Sequence, residues 1–149
     1  MARRHRRDFL LDSGAITALA ADRLLLEGYL MLVTEEHDGL ILVPVPVLTE
    51  VRSGRRSTDV PVDRLLTAIG VTSSIYAPLT VETASRAGVL RATAQIGLRG
   101  PISAIDAQVV AIGEERSYRC AVTIVTTDRT DIAALVEVTG RTNIAVDAI

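Results

Sequence analysis

The stretch Phe9-Leu10-Leu11-Asp12-Ser13 decides the fold. Three consecutive apolar residues followed at once by a carboxylate read as a short strand over residues 9–12, buried on both faces, with an acid where the chain leaves the sheet. The pattern returns near the far end, where residues 121–125 form a β-branched run and Asp128 follows. Strands of this kind belong to parallel sheets, whose ligands bind beyond the carboxyl ends of the strands. Asp12 and Asp128 can therefore share one cleft, and both also stand where an aspartate would cap a helix.

Working outward, residues 15–21 and 23–36 carry apolar positions such as Ile16, Leu19, Leu25, Tyr29 and Leu32 at helical spacing. A second strand covers 40–44. A short helix over 47–52 must stop near Ser53-Gly54, and another over 63–69 follows Pro61 and closes at Gly70. Residues 74–77 read as a third strand. Thr80 opens a capping pattern into a helix that runs to Gln95, and Pro101 starts the next, with Ile102, Ile105, Val109 and Ile112 recurring at helical spacing. A helix over 131–138 ending at Gly140 and a strand over 143–146 complete the chain. Strands alternate with helices throughout, so the expected fold class is α/β, a three-layer α/β/α sandwich with a central parallel sheet and right-handed crossovers. No repeat, low-complexity tract or linker divides the chain, which predicts a single domain over residues 1–149.

Composition narrows the function. The chain has 149 residues, 48% of them apolar, enough for one core. A single cysteine, Cys120, excludes an internal disulfide and favours a reducing cytoplasm, and its setting predicts a small buried hydrophobe rather than a nucleophile. A net charge of -2 gives no overall field that would attract nucleic acid, and the basic residues are all arginine. Arg6-Arg7-Asp8-Phe9-Leu10 with Ala18-Leu19-Ala20 imitates a twin-arginine export signal, but Asp12 breaks the hydrophobic region it would need. The apolar run over 24–33 is interrupted by Glu27 and falls short of the ~20 residues of a membrane span.

Two further acids have apolar surroundings. Asp106 has Ile102, Val109 and Val110 three or four positions away, at the border of a helical apolar stripe, where an unpaired charge is costly. Glu50 lies between Val47, Leu48 and Val51 and should lean toward the interior, although an exposed helix flank fits it too. Converging carboxylates raise one another's pKa or gather a cation. All-oxygen ligation selects Mg²⁺ or Mn²⁺, and His5 and His37 have no metal-ligand spacing and read as solvent-exposed.

Leu11-Asp12-Ser13, Leu48-Thr49-Glu50-Val51, Ile105-Asp106-Ala107 and Thr126-Thr127-Asp128-Arg129-Thr130-Asp131 together resemble the PIN-domain nucleases, particularly the VapC-type toxins, collinearly over essentially the whole chain. The resemblance implies a PIN-like fold and a Mg²⁺-dependent (or Mn²⁺-dependent) endoribonuclease. It implies Asp12, Glu50, Asp106 and Asp128 as the catalytic acids that hold the metal, Asp131 as an auxiliary acid, and Ser13 and Thr126 as hydroxyls that position ligands. It further implies an RNA substrate, a VapB-type antitoxin laid across the cleft, and a homodimer, for which residues 24–33 are a candidate surface. One departure stands out: the position after Ser13 is often Ser or Asn in that family, and here it is Gly14. Arg52, Arg55, Arg56 and Arg129 flank the acids and suit phosphate contacts, and a solvated charged face would look the same.

Rival readings fare worse. A haloacid-dehalogenase-like phosphatase needs a second aspartate where Gly14 stands, and a receiver domain needs a lysine that the chain lacks. Dinucleotide, nucleoside-triphosphate and nucleophile-elbow motifs are absent. A PIN-like nuclease of RNA processing and an inactive PIN-like binding module remain as alternatives, the second disfavoured by four intact acids.

Overall fold

All five strands run the same way. The computed structural model describes residues 5–36, 38–70, 75–97 and 100–149. Strands β1 (Arg7–Leu11), β2 (Ile41–Pro44), β3 (Tyr76–Ala77), β4 (Ala121–Thr126) and β5 (Ile144–Ala148) form one sheet in the order β3-β2-β1-β4-β5. Every neighbouring pair is parallel. Helices α1 (Ser13–Ala21), α2 (Arg23–Met31), α3 (Leu48–Val51) and α4 (Arg56–Gly70) pack together around α1, and α5 (Val81–Gln95), α6 (Ala104–Ser117) and α7 (Arg129–Thr139) form the other layer. The expected α/β/α sandwich is the observed one.

The central strands form because their side chains have no polar face to offer. Leu10, Leu11, Val43, Val122, Ile124 and Val125 are all enclosed, with Ile16, Leu19, Leu65, Val109 and Leu135 covering the sheet from the helices. Leu11 pairs with Val125, and the Asp12 N–H extends the ladder by donating to the Val125 carbonyl at 3.1 Å. From β1 the chain builds outward to β2 and β3, then returns to add β4 and β5 on the other side. The order thus reverses between β1 and β4, and the crevice beyond their carboxyl ends is where such sheets hold ligands.

Several boundaries differ from the sequence-based expectation. The helix expected over 23–36 is α-helical only to Met31 and widens into a π-type turn over Leu32–Glu36, where the Thr34 hydroxyl bonds the Leu30 and Met31 carbonyls and competes with the regular ladder. α4 starts at Arg56 and carries Pro61 inside it. The Asp59 carboxylate accepts the Ser53 and Gly54 N–H groups, each at 3.0 Å, and the buried stripe Val62, Leu65, Leu66 and Ile69 supplies packing that overrides the proline. α6 starts at Ala104 rather than Pro101, because Ser103 is its cap and the Ile102 N–H is taken by Gln95 Oε1 at 2.9 Å. The Thr80 cap of α5 stands where expected. β3 is confined to Tyr76–Ala77, with Ser74 outside the described residues.

α7 ends at Gly140, whose φ of 66° is in the left-handed region. Nothing crowds that position, so Gly140→Ala isolates the backbone strain and should cost about 1 kcal/mol in urea denaturation, with cleavage of RNA unaffected.

Beneath the amino end of the sheet lies a network the sequence did not announce. Asp8, fully enclosed on β1, accepts from Arg116 Nε at 2.6 Å, Arg6 Nε at 3.2 Å and the Leu40 N–H at 3.0 Å. The Cys120 thiol reaches the same carboxylate at 3.3 Å. Cys120 is therefore half-buried and hydrogen-bonded rather than a buried hydrophobe, and burial together with Asp8 pushes its pKa up, away from a nucleophile's. Arg86 grips the buried Glu114 through two bonds of 2.8 and 2.9 Å and ties α5 to α6. Tyr29 of α2 bonds Asp147 of β5. Among the described residues no helix is long and apolar enough to cross a membrane.

Candidate metal centre

Asp12 leaves β1 at the crevice. Its side chain is buried, and its Oδ1 caps α1 by accepting the Ala15 N–H at 2.7 Å. Burial pushes the carboxyl above the ordinary carboxylate range; hydrogen bonds from Thr126 and Ala15 oppose that, and the charges of Glu50 and Asp128 add to it. The Thr126 hydroxyl, enclosed at the end of β4, also accepts the Asp128 N–H at 2.9 Å. One hydroxyl thus joins the two strand ends that carry Asp12 and Asp128. Asp128 is exposed and caps α7 through Thr130 N–H at 3.2 Å. Both aspartates are helix caps and neighbours across the crevice at once; one capping bond leaves the rest of a carboxylate's acceptor capacity open.

Asp106 lies half-buried in the first turn of α6, just after the Ser103 cap. Its carboxyl is pushed up to about 6, first by burial and then by the charges of Asp12, Glu50, Asp131 and Asp128. Asp131 is half-buried in the first turn of α7. Glu50 does not lean into the interior. α3 is a single turn whose inward side is taken by Val51, with Val47 just before it, leaving Glu50 exposed, although its charge is felt at both Asp12 and Asp106. The Ser13 carbonyl accepts from Thr17 at 3.0 Å, and the Ser13 hydroxyl has no partner among the described residues.

These five acids face one another without compensation. Among the described residues none forms a salt bridge, and no three His, Cys, Asp or Glu side chains stand close enough to ligate one ion as they are placed. The donor set is all oxygen and of one sign, which fits a hard divalent cation better than zinc. His5 is exposed, and His37 lies outside the described residues. Of the flanking arginines, Arg52 is taken by Asp63 at 2.6 Å, while Arg55, Arg56 and Arg129 are exposed and form no salt bridge among the described residues.

No protein-family model matches the chain, and no curated protein matches it. Solved structures do. A chain of VapBC2 from Rickettsia felis, crystallised with a DNA fragment from its promoter, superposes with a TM-score of 0.64 at 15% identity, covering 95% of this chain and 98% of that one. DNA-bound VapBC from Salmonella typhimurium gives 0.65 at 13% identity, covering 95% and 97%. VapBC-5 from Mycobacterium tuberculosis gives 0.57 at 20% identity, covering 95% and 98%. The chain has a VapBC-type fold. The likeness runs nearly end to end; at such identities it is a likeness of fold, and the acids are argued from their own surroundings.

Within this VapBC-type fold Gly14 has a local explanation. A Cβ there would stand 2.0 Å from Thr127 Oγ1, because the Thr127 side chain lies directly against the first turn of α1. Sequence reasoning passed over Thr127, whose neighbour Thr126 carries the motif. Only the approach of β4's end to α1 reveals it.

Proposed function

We propose that this protein is a divalent-metal-dependent endoribonuclease, the toxin of a VapBC-type toxin–antitoxin pair. The observation that carries the reading is the gathering of Asp12, Glu50, Asp106, Asp128 and Asp131 at the switch point of the parallel sheet, where burial and the other four acids push the Asp106 carboxyl up to about 6 and none of the five forms a salt bridge among the described residues. Asp12, Glu50, Asp106 and Asp128 would hold Mg²⁺ or Mn²⁺, with Asp131 as auxiliary. When bound, the ion supplies the charge that polarises a phosphodiester and lowers the pKa of an attacking water. Asp12 is fixed for that task by Ala15 and Thr126, so its remaining lone pairs keep one orientation. Thr126 holds the Asp128 backbone to the same position, and Ser13 has a hydroxyl free for a ligand.

Arg55, Arg56 and Arg129 are placed to grip RNA phosphates, contacts that position a strand without reading its sequence. The crystallised VapBC complexes support a VapB-type antitoxin as the partner. Such a partner would lay an extended or helical segment across the acid cleft and set an arginine among its carboxylates. A homodimer would use α2, where Leu24 and Met31 are exposed while Leu25, Leu26 and Leu30 pack on the core.

Purified protein incubated with total RNA and Mg²⁺ should cleave it, chelation should stop the reaction, and Asp12→Ala should be inactive. Equal cleavage by wild type and Asp12→Ala would sink this mechanism. Mg²⁺ should also raise the melting temperature of the wild type in proportion to the logarithm of its concentration above the dissociation constant.

A further inference from the structure

We propose that the cavity bordered by β2, β3 and the last turns of α6 binds a small amphiphilic anion, an apolar body carrying a carboxylate or phosphate head. The cavity measures about 330 Å³, near the low end of the roughly 300–1,000 Å³ typical of small-molecule sites. Leu40, Leu42, Ala77 and Ile112 give it an apolar lining, and its charged groups all come from the end of α6 and the turn after it: Glu115, Arg116 and Arg119. Asp106 lies in the first turn of the same helix, ten residues before Arg116 and so about 15 Å away along the axis. The site is separate from the acid crevice and does not rest on the metal reading.

The charges around this cavity are unevenly spent. Arg116 gives its Nε to Asp8 at 2.6 Å, and its two terminal nitrogens make no hydrogen bond with any described residue. Arg119 is exposed, and its side chain has neither a hydrogen bond nor an ion pair among the described residues. Glu115 stands four residues before it, the spacing of a helical ion pair, yet its carboxylate accepts from the Thr83 hydroxyl at 2.8 Å instead. Arg6 joins Arg116 on the single charge of Asp8, and Arg6, Arg116 and Arg119 together line an adjoining hollow of about 100 Å³. Three guanidinium groups therefore meet two carboxylates, which leaves one positive charge in excess and unspent N–H donors beside an apolar wall. Planar forks of this kind take a carboxylate or a phosphate through paired hydrogen bonds.

Hexanoate and hexyl phosphate carry the two heads on one apolar body, and hexanol carries the body alone. Titrated into the full chain, at least one of the two anions should shift the methyl resonances of Leu40, Leu42 and Ile112 while leaving those of Val89, exposed on α5, unmoved; the anion that does so identifies the head. Hexanol should bind at least about tenfold more weakly, the lower end for losing hydrogen bonds to a charged group. Arg119→Ala removes a side chain that no described residue holds, so it should leave the melting temperature unchanged and weaken the anion by the same factor. Arg119→Lys keeps the charge without the fork and should fall between. The proposal is overturned if neither anion shifts those methyls, if hexanol binds as well as the anions, or if Arg119→Ala binds them as well as the wild type.

Discussion

Asp106→Asn should raise the melting temperature of the metal-free protein at pH 7 while removing its response to Mg²⁺ and its cleavage of RNA. The folded Asp106 carboxyl is pushed up to about 6 from an ordinary 3.8, by burial and by the surrounding acids. An acid whose folded pKa exceeds its unfolded one is bound to its proton more tightly when folded, so stability declines as pH rises from 3.8 through about 6 and then levels off. The metal-free wild type should therefore melt lower at pH 7 than at pH 5, and the asparagine variant, with no proton to lose at position 106, should lose most of that slope, the raised Asp12 carboxyl keeping the remainder. A divalent cation reverses the sign, because it binds the ionised form and converts the repulsion into attraction. Cleavage should fall by more than the roughly 100-fold that loss of an outer partner can cost, since Asp106 is proposed as a direct ligand. Melts at both pH values with and without Mg²⁺ test this; an Asp106→Asn protein that Mg²⁺ stabilises as much as the wild type would remove Asp106 from the site.

At the opposite end of the sheet, Asp8→Ala should cost about 3 kcal/mol, the lower end for breaking a buried pair, because Arg6 and Arg116 keep partial access to water. The substitution strands Arg116 and leaves the Leu40 N–H, which lies beside β2, without its acceptor. For a chain of this size that amounts to about 6–12 °C in melting temperature. Burial alone would raise the Asp8 carboxyl, but the hydrogen bonds from Arg6, Arg116 and Leu40 outweigh it and hold it below the usual range. The stabilisation is accordingly present above the ordinary 3.8 and lost as pH falls through the lower folded value, so the gap between wild type and variant should close in acid. Cys120→Ser should leave stability nearly intact, as a thiol is a weak donor and the serine hydroxyl can replace its bond to Asp8.

Features enforced by neighbours along the chain are legible without the fold. The apolar runs of β1 and β4, the acids that follow them, the Thr80 cap and the Gly140 stop are all local: a strand's burial, a cap's hydrogen bond and a left-handed φ each involve residues within a few positions. Asp12, Asp106 and Asp128 were legible for that reason, since a carboxylate beside an apolar run is conspicuous wherever the run lies. Glu50 was not, because one turn of helix is too short for periodicity to say which side faces inward. Pro61 misled for the opposite reason, local propensity yielding to the packing of Val62, Leu65, Leu66 and Ile69. The meeting of Asp8 with Arg116, 108 residues away, the reversal of strand order between β1 and β4 and the seating of Thr127 on Gly14 come from the folded chain alone. Such contacts depend on where distant segments are brought by the closure of the whole sheet, and no pattern within either segment encodes its partner.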